Sequence, residues 1–288
     1  MKRTLTWLAP LLSLVALLVI TVPAAGSSAI AMGPRRPGPR ESTSSNWAGY
    51  AVENYSLVTH GNHQKQTAVS NDVSSVAGTW VVPSVGQSPN YSGSTWSSCW
   101  VGIDGYSDST VEQIGTEQDY DATTGTSSYY AWYEMYPAPY YTINEPVNPG
   151  DTITASVTWV TGNTFDLTIS DTGPSTTWNY TTTQTLPNGS TALRQSAECI
   201  AEAPSSINGV LPLADFGQVQ FSGVQANGAA FDSASPSWST VDPITMIDGT
   251  SQASPTSLTD NQGSNSFNVT WSEYASPSHG HGNGHGKK

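Results

Sequence analysis

The stretch Tyr129-Tyr130-Ala131-Trp132-Tyr133-Glu134-Met135-Tyr136 sets one carboxylate among five aromatic rings, in a chain only 11% charged. Read with the period of two of a β-strand, Tyr130, Trp132, Glu134 and Tyr136 share one face, and Tyr129, Ala131, Tyr133 and Met135 the other. An unpaired buried carboxylate costs several kcal/mol, so Glu134 must be paired, solvated or functional. The face that carries it reads as the wall of a binding groove. The plainer alternative is a sheet surface whose Glu points into water beside aromatics.

The same alternation recurs along the chain. Ile153, Ala155, Val157 and Trp159 alternate with polar residues, as do Phe165, Leu167 and Ile169, then Val219 and Phe221, then Phe267, Val269 and Trp271. Turn signals at 148–150 (Asn-Pro-Gly), 161–163 (Thr-Gly-Asn) and 187–189 (Pro-Asn-Gly) separate them. No long segment repeats with the period of a helix. Many short strands predict a single all-β domain, a sandwich or jelly roll, over residues 45–274.

The ends read differently. Lys2-Arg3, an apolar stretch from Trp7 to Val22 and a closing Ala29-Ile30-Ala31 have the layout of a secretory signal peptide over residues 1–31. That stretch contains Pro10 and falls short of a membrane span. The expectation is a secreted protein with no membrane contact once the leader is removed. Residues 32–44 form a Pro/Arg-rich linker or short pro-segment, and 275–288 a His/Gly-rich tail.

Of the basic residues, only Lys65, Arg194, Lys287 and Lys288 lie beyond residue 40, against 22 acids, a formal charge of 4 − 22 = −18. Nucleic acid is an unfavourable partner for such a body. So few cations can support few salt bridges, so little native stability depends on carboxylates that acid would neutralise. Self-repulsion also fades as those carboxylates protonate. The composition therefore suggests acid adaptation. Cys99 and Cys199, in an exported chain, suggest one disulfide.

Nucleophile and metal signatures are missing: the sequence has no Gly-x-Ser-x-Gly and no His-Glu-x-x-His, and His60 and His63 fall in a polar segment read as a loop. Carboxylate and amide chemistry remains, with no metal and no cofactor expected. Three segments carry candidates. Trp100-Val101-Gly102-Ile103-Asp104-Gly105 puts Trp100, Gly102 and Asp104 on one face; Gln113, Gly115 and Glu117 share another; Glu198, Ile200 and Glu202 oppose Ala197, Cys199 and Ala201. If both cysteines face the core, Trp100, Asp104 and Glu202 point to the opposite, open face.

In order along the chain stand Ser45-Asn46-Trp47-Ala48-Gly49-Tyr50, Trp100 to Gly105, Gln113-Ile114-Gly115, Ala131 to Pro137, Ala197 to Glu202, and Ala214-Asp215-Phe216-Gly217. Together they resemble the glutamic peptidases, or eqolisins, over about residues 45–272. The resemblance implies a β-sandwich of two antiparallel sheets, concanavalin-like, with a catalytic Gln–Glu pair at Gln113 and Glu202. It also implies a substrate groove lined by Trp47, Trp100, Asp104, Trp132, Glu134 and Tyr136. Three departures bear on substrate preference: Tyr130 where the family has Asp, Met135 where it has Trp, and Ala203-Pro204 after Glu202.

On this reading the protein is a secreted, acid-active endopeptidase that works as a monomer on polypeptides. Desolvation beside Ile200 and Ala201 would raise the proton affinity of Glu202, suiting it to general base and then general acid. Gln113 would position the water and donate to the oxyanion. Two rivals use the same aromatics: a jelly-roll glycoside hydrolase, with Glu134 and Glu202 as its carboxylate pair, and a carbohydrate-binding module.

Overall fold

The computed structural model describes residues 43–60, 63–89, 91–174, 176–234 and 237–274, and every regular element in them is a β-strand. The signal peptide, most of the linker and the His/Gly tail lie outside the described residues.

Two antiparallel sheets pack face to face. The front sheet runs, edge to edge, through Tyr141–Pro146, Thr126–Tyr136, Val111–Asp121, Thr95–Ile103, Ser196–Glu202, Trp47–Glu53 and Thr240–Asp248. The back sheet runs through Trp178–Thr185, Thr164–Asp171, Thr152–Thr161, Ser75–Val81, Gln218–Ala226, Asn265–Glu273 and Ser251–Pro255. Thr240–Asp248 belongs to both. Its first half pairs with Trp47–Glu53, and Met246–Asp248 pairs with Ser251–Ala253, so one strand closes a side of the sandwich.

Alternation decides what lies between the sheets. Val101, Ile103, Ile114, Ala131, Tyr133 and Met135 from the front meet Trp80, Ile153, Val157, Phe165, Leu167, Phe221 and Phe267 from the back in one buried cluster. Trp80 crosses the gap and donates its indole N–H to Thr116 Oγ1 at 3.0 Å. A buried indole needs such an acceptor, and a sheet threonine supplies it. Ile153, Phe165, Phe221, Phe267 and their alternating partners lie where the pattern predicts, and Gly150, Gly162 and Gly189 take positive φ at the three expected turns.

The structure departs from the sequence reading at three places. Cys99 and Cys199 are unbridged thiols, both buried. The register sets Cys99 opposite Ala201 and Cys199 opposite Val101, so the two sulfurs stand diagonally across adjacent strands. Diagonal neighbours have Cβ atoms further apart than the ~3.8 Å a disulfide needs. Thr43–Ser44, assigned to the linker, instead pairs parallel with Thr245–Met246. The segment around His60 and His63, read as a loop, is a two-stranded ribbon of Tyr55–His60 with His63–Ala68. Polar residues on both sides of that ribbon leave no alternation to read.

Candidate active site

The outer face of the front sheet is a lattice fixed by register. One row holds Tyr130, Glu117, Ser98, Glu202 and Trp47, the next holds Trp132, Gly115, Trp100, Ile200 and Gly49, and a third holds Glu134, Gln113, Gly102 and Glu198. Trp47, Trp100, Trp132 and Ile200 are fully buried here in an apolar cluster separate from the core, with Tyr130 and Tyr136 packed against it. Trp47 and Trp100 meet edge to face, centroids 4.9 Å apart.

Glycines make room for these rings. A Cβ at Gly115 would stand 2.5 Å from Trp100 Cβ and 2.3 Å from the Cys99 carbonyl oxygen. One at Gly102 would stand 2.8 Å from the Trp100 six-membered ring and 3.1 Å from Gln113 Cβ. The Trp100 ring therefore leans over Gly102 toward Gln113.

Its other end reaches Glu202. Trp100 Nε1 donates to Glu202 Oε2 at 2.8 Å, and Asn46 Nδ2 donates to Oε1 at 3.2 Å. Asn46 is aimed in turn by Ser44, whose hydroxyl donates to Asn46 Oδ1 at 3.0 Å. Ser44 Oγ in turn accepts the Asn46 and Trp47 backbone N–H groups. Ala203 N–H donates to Asn46 O at 2.8 Å and locks the segment to the end of the Glu202 strand. Gln113 Nε2 donates to Glu134 Oε2 at 2.9 Å, which orients its amide. Gln113 and Glu202 thus flank one indole, each fixed by a hydrogen bond of its own.

Asp104 stands apart from this group. It has φ 72°, and its carboxylate accepts the backbone N–H groups of Arg194 and Gln195, both at 2.7 Å. Those contacts hold the loop that enters the Glu202 strand. Burial raises the Asp104 carboxyl against the pull of these N–H donors. Asp108 beside it is pushed up to about 8 by burial and the Asp104 charge. Glu112 and Glu198 are fully buried with no hydrogen bond of normal geometry at either oxygen. Burial, then the charges of Asp104 and Asp108, drives both well above the usual carboxylate range.

The sequence reading assigned no role to Ser44 or Asn46 individually. The Ser45-Asn46-Trp47 run carries Asn46 as part of a motif, whereas Ser44 falls in the segment assigned to the linker.

A carboxylate and an amide set on the outer face of the front sheet of a β-sandwich, with buried aromatics around them, suit hydrolysis by activated water. The sequence matches the Peptidase A4 family over residues 45–272, and the chain belongs to that family. It is 28% identical over 225 residues to aspergillopepsin-2 of Aspergillus niger, covering 70% of each chain. The fold is similar to scytalido-glutamic peptidase crystallised with a transition-state analogue inhibitor, at TM-score 0.56 and 19% identity, covering 79% of this chain and 98% of that one. It is also similar to an eqolisin in complex with the tripeptide Ala-Ile-His, at TM-score 0.52 and 20% identity, covering 79% and 98%. The protein is a glutamic endopeptidase acting on polypeptides. The glycosidase and carbohydrate-binding readings fall with that.

Proposed function

We propose that this endopeptidase cuts by water activated between Glu202 and Gln113, outside the cell and at acid pH, as a monomer. The observation that carries the reading is the Glu202 carboxylate fixed by Trp100 and Asn46, with Gln113 across the same indole. Glu202 takes a proton from water as the oxygen attacks the scissile carbonyl. Gln113 donates an amide N–H to the oxygen on which charge develops, a contact worth about 2.7–4 kcal/mol in comparable sites. Glu202 then returns the proton to the leaving amine, which breaks the C–N bond. Trp47, Trp100, Trp132, Glu134 and Tyr136 form the groove wall; the role of Asp104 is to hold the 194–195 backbone rather than substrate. The signal-like leader supports export.

The test is proteolysis of denatured casein at pH 3–4 by Glu202→Gln and Gln113→Ala, each checked for fold by circular dichroism. Both should be inert. Full activity in either would sink the reading.

A further inference from the structure

One buried acid on the catalytic face has no part in the steps above. Glu117 lies in the same row as Glu202, separated from it by Ser98 alone, and both are fully buried. The two carboxyls have opposite surroundings. Glu202 receives an N–H at each oxygen, whereas neither Glu117 oxygen makes a hydrogen bond of normal geometry.

The groups around Glu117 are acidic or neutral on every side. Asp119 follows it on its own strand and face, Glu202 faces it across Ser98, and Tyr130 faces it from the neighbouring strand with Tyr140 stacked behind. Cys99 approaches from the core side. Two carboxyls sharing one buried row cannot both ionise cheaply, and the one with donors keeps the charge.

We propose that Glu117 holds the second proton of the site: it is a positioning residue whose neutral acid leaves the negative charge to Glu202, and whose ionisation closes the active pH range from above. The proposal rests on the Gln113–Glu202 reading. A second charge two strand spacings from Glu202 strengthens its hold on the proton taken from water and so slows the return of that proton to the leaving amine. Burial and the Asp119 carboxyl both favour the neutral form of Glu117, and burial pushes Asp119 itself up to about 7. The pair therefore stays protonated through the acid range and begins to charge near neutrality.

The experiment is the pH profile of kcat/KM on a fluorogenic peptide for the wild type, Glu117→Gln and Glu202→Gln, with near-UV circular dichroism at each pH to confirm the fold. Glutamine reproduces the neutral acid in shape and cannot ionise. The acid limb should stay in place, and the fall in activity set by Glu117 should be lost, leaving kcat/KM about tenfold above wild type on the alkaline side, the effect expected for charges two strand spacings apart at an effective dielectric near 20. A purely structural role would alter the melting temperature and leave the limb where it was. An unmoved alkaline limb overturns the proposal, as does a folded Glu117→Gln chain inactive at every pH. A variant that fails to fold at pH 4 overturns it too, because the neutral form would then not be the native one. If Glu202→Gln cuts normally, it is the Gln113–Glu202 reading that has failed.

Discussion

Raising the pH from 4 to 7 should destabilise this protein, and the buried acids set the size of the loss. Asp108 titrates near 3.8 in an unfolded chain and is pushed up to about 8 in the fold. Between those values the native state holds a proton that the unfolded state has released. Stability is then fully present below the unfolded value and is lost as pH rises, at about 1.4 kcal/mol per pH unit for each retained proton. Over three units Asp108 alone accounts for about 4 kcal/mol. Glu112 and Glu198, also raised well above the usual carboxylate range by burial, act in the same direction. A second such proton would bring the loss to about 8 kcal/mol, comparable with the whole stability of an ordinary domain. Thermal melts followed by circular dichroism from pH 3.5 to 7.5 measure this. The melting temperature should fall by at least about 8–16 °C between pH 4 and pH 7. Asp108→Asn should flatten the slope by about one proton's worth. A melting temperature at pH 7 equal to or above that at pH 4 would refute the reasoning.

Trp100→Phe keeps the ring but removes the N–H donated to Glu202 Oε2. A hydrogen bond to a charged group contributes about 1.5–3 kcal/mol, so kcat/KM should drop by about 10- to 100-fold at acid pH; an unchanged value would mean that this contact does not set the carboxylate. Gly115→Ala drives a methyl into the Cys99 carbonyl and Trp100 Cβ, atoms of backbone and ring root that cannot swing away. It should cost about 3 kcal/mol, read as a lower urea midpoint with unchanged slope. Unfolded in denaturant without reductant, the chain should titrate as two thiols, Cys99 and Cys199. A chain with no reactive thiol would show that the two strands shift enough to bridge.

What could be read from the sequence follows the range of the forces involved. Alternation is local, so the two faces of Thr126–Tyr136 are legible without any partner: Tyr130, Trp132 and Tyr136 pack in the outer cluster, and Ala131, Tyr133 and Met135 in the core. Register is not local. Whether Cys99 can meet Cys199 depends on a pairing that sets each opposite a different residue, and nothing in the intervening hundred or so residues announces the offset. Asp104 shows a related limit. Alternation puts it on the Trp100 face, but its positive φ turns the carboxylate toward Arg194 and Gln195, about ninety residues away. The Asn46–Glu202 bond spans 156 residues, and only the fold brings its ends together.

The shortage of cations that first suggested acid adaptation has a structural counterpart in how the buried acids are held. Arg194, the one arginine among the described residues, gives its guanidinium to Val73 O and Asn71 Oδ1 and stacks on Trp159 at 3.9 Å. Glu112, Glu117 and Glu198 sit at zero exposure with no hydrogen bond of normal geometry at their oxygens, and a carboxylate so buried without a cation is prohibitively costly. A proton is the cheapest compensation, and only an acid medium supplies it reliably. Glu202 differs from these three, because Trp100 and Asn46 supply an N–H group to each of its oxygens. The same economy of positive charge thus singles out one carboxyl to carry the negative charge and ties the stability of the rest to low pH. If counter-ions were the true source of stability, adding salt at pH 4 would weaken the fold by screening; with protons in that role, salt at pH 4 should leave the melting temperature nearly unchanged and pH should dominate it.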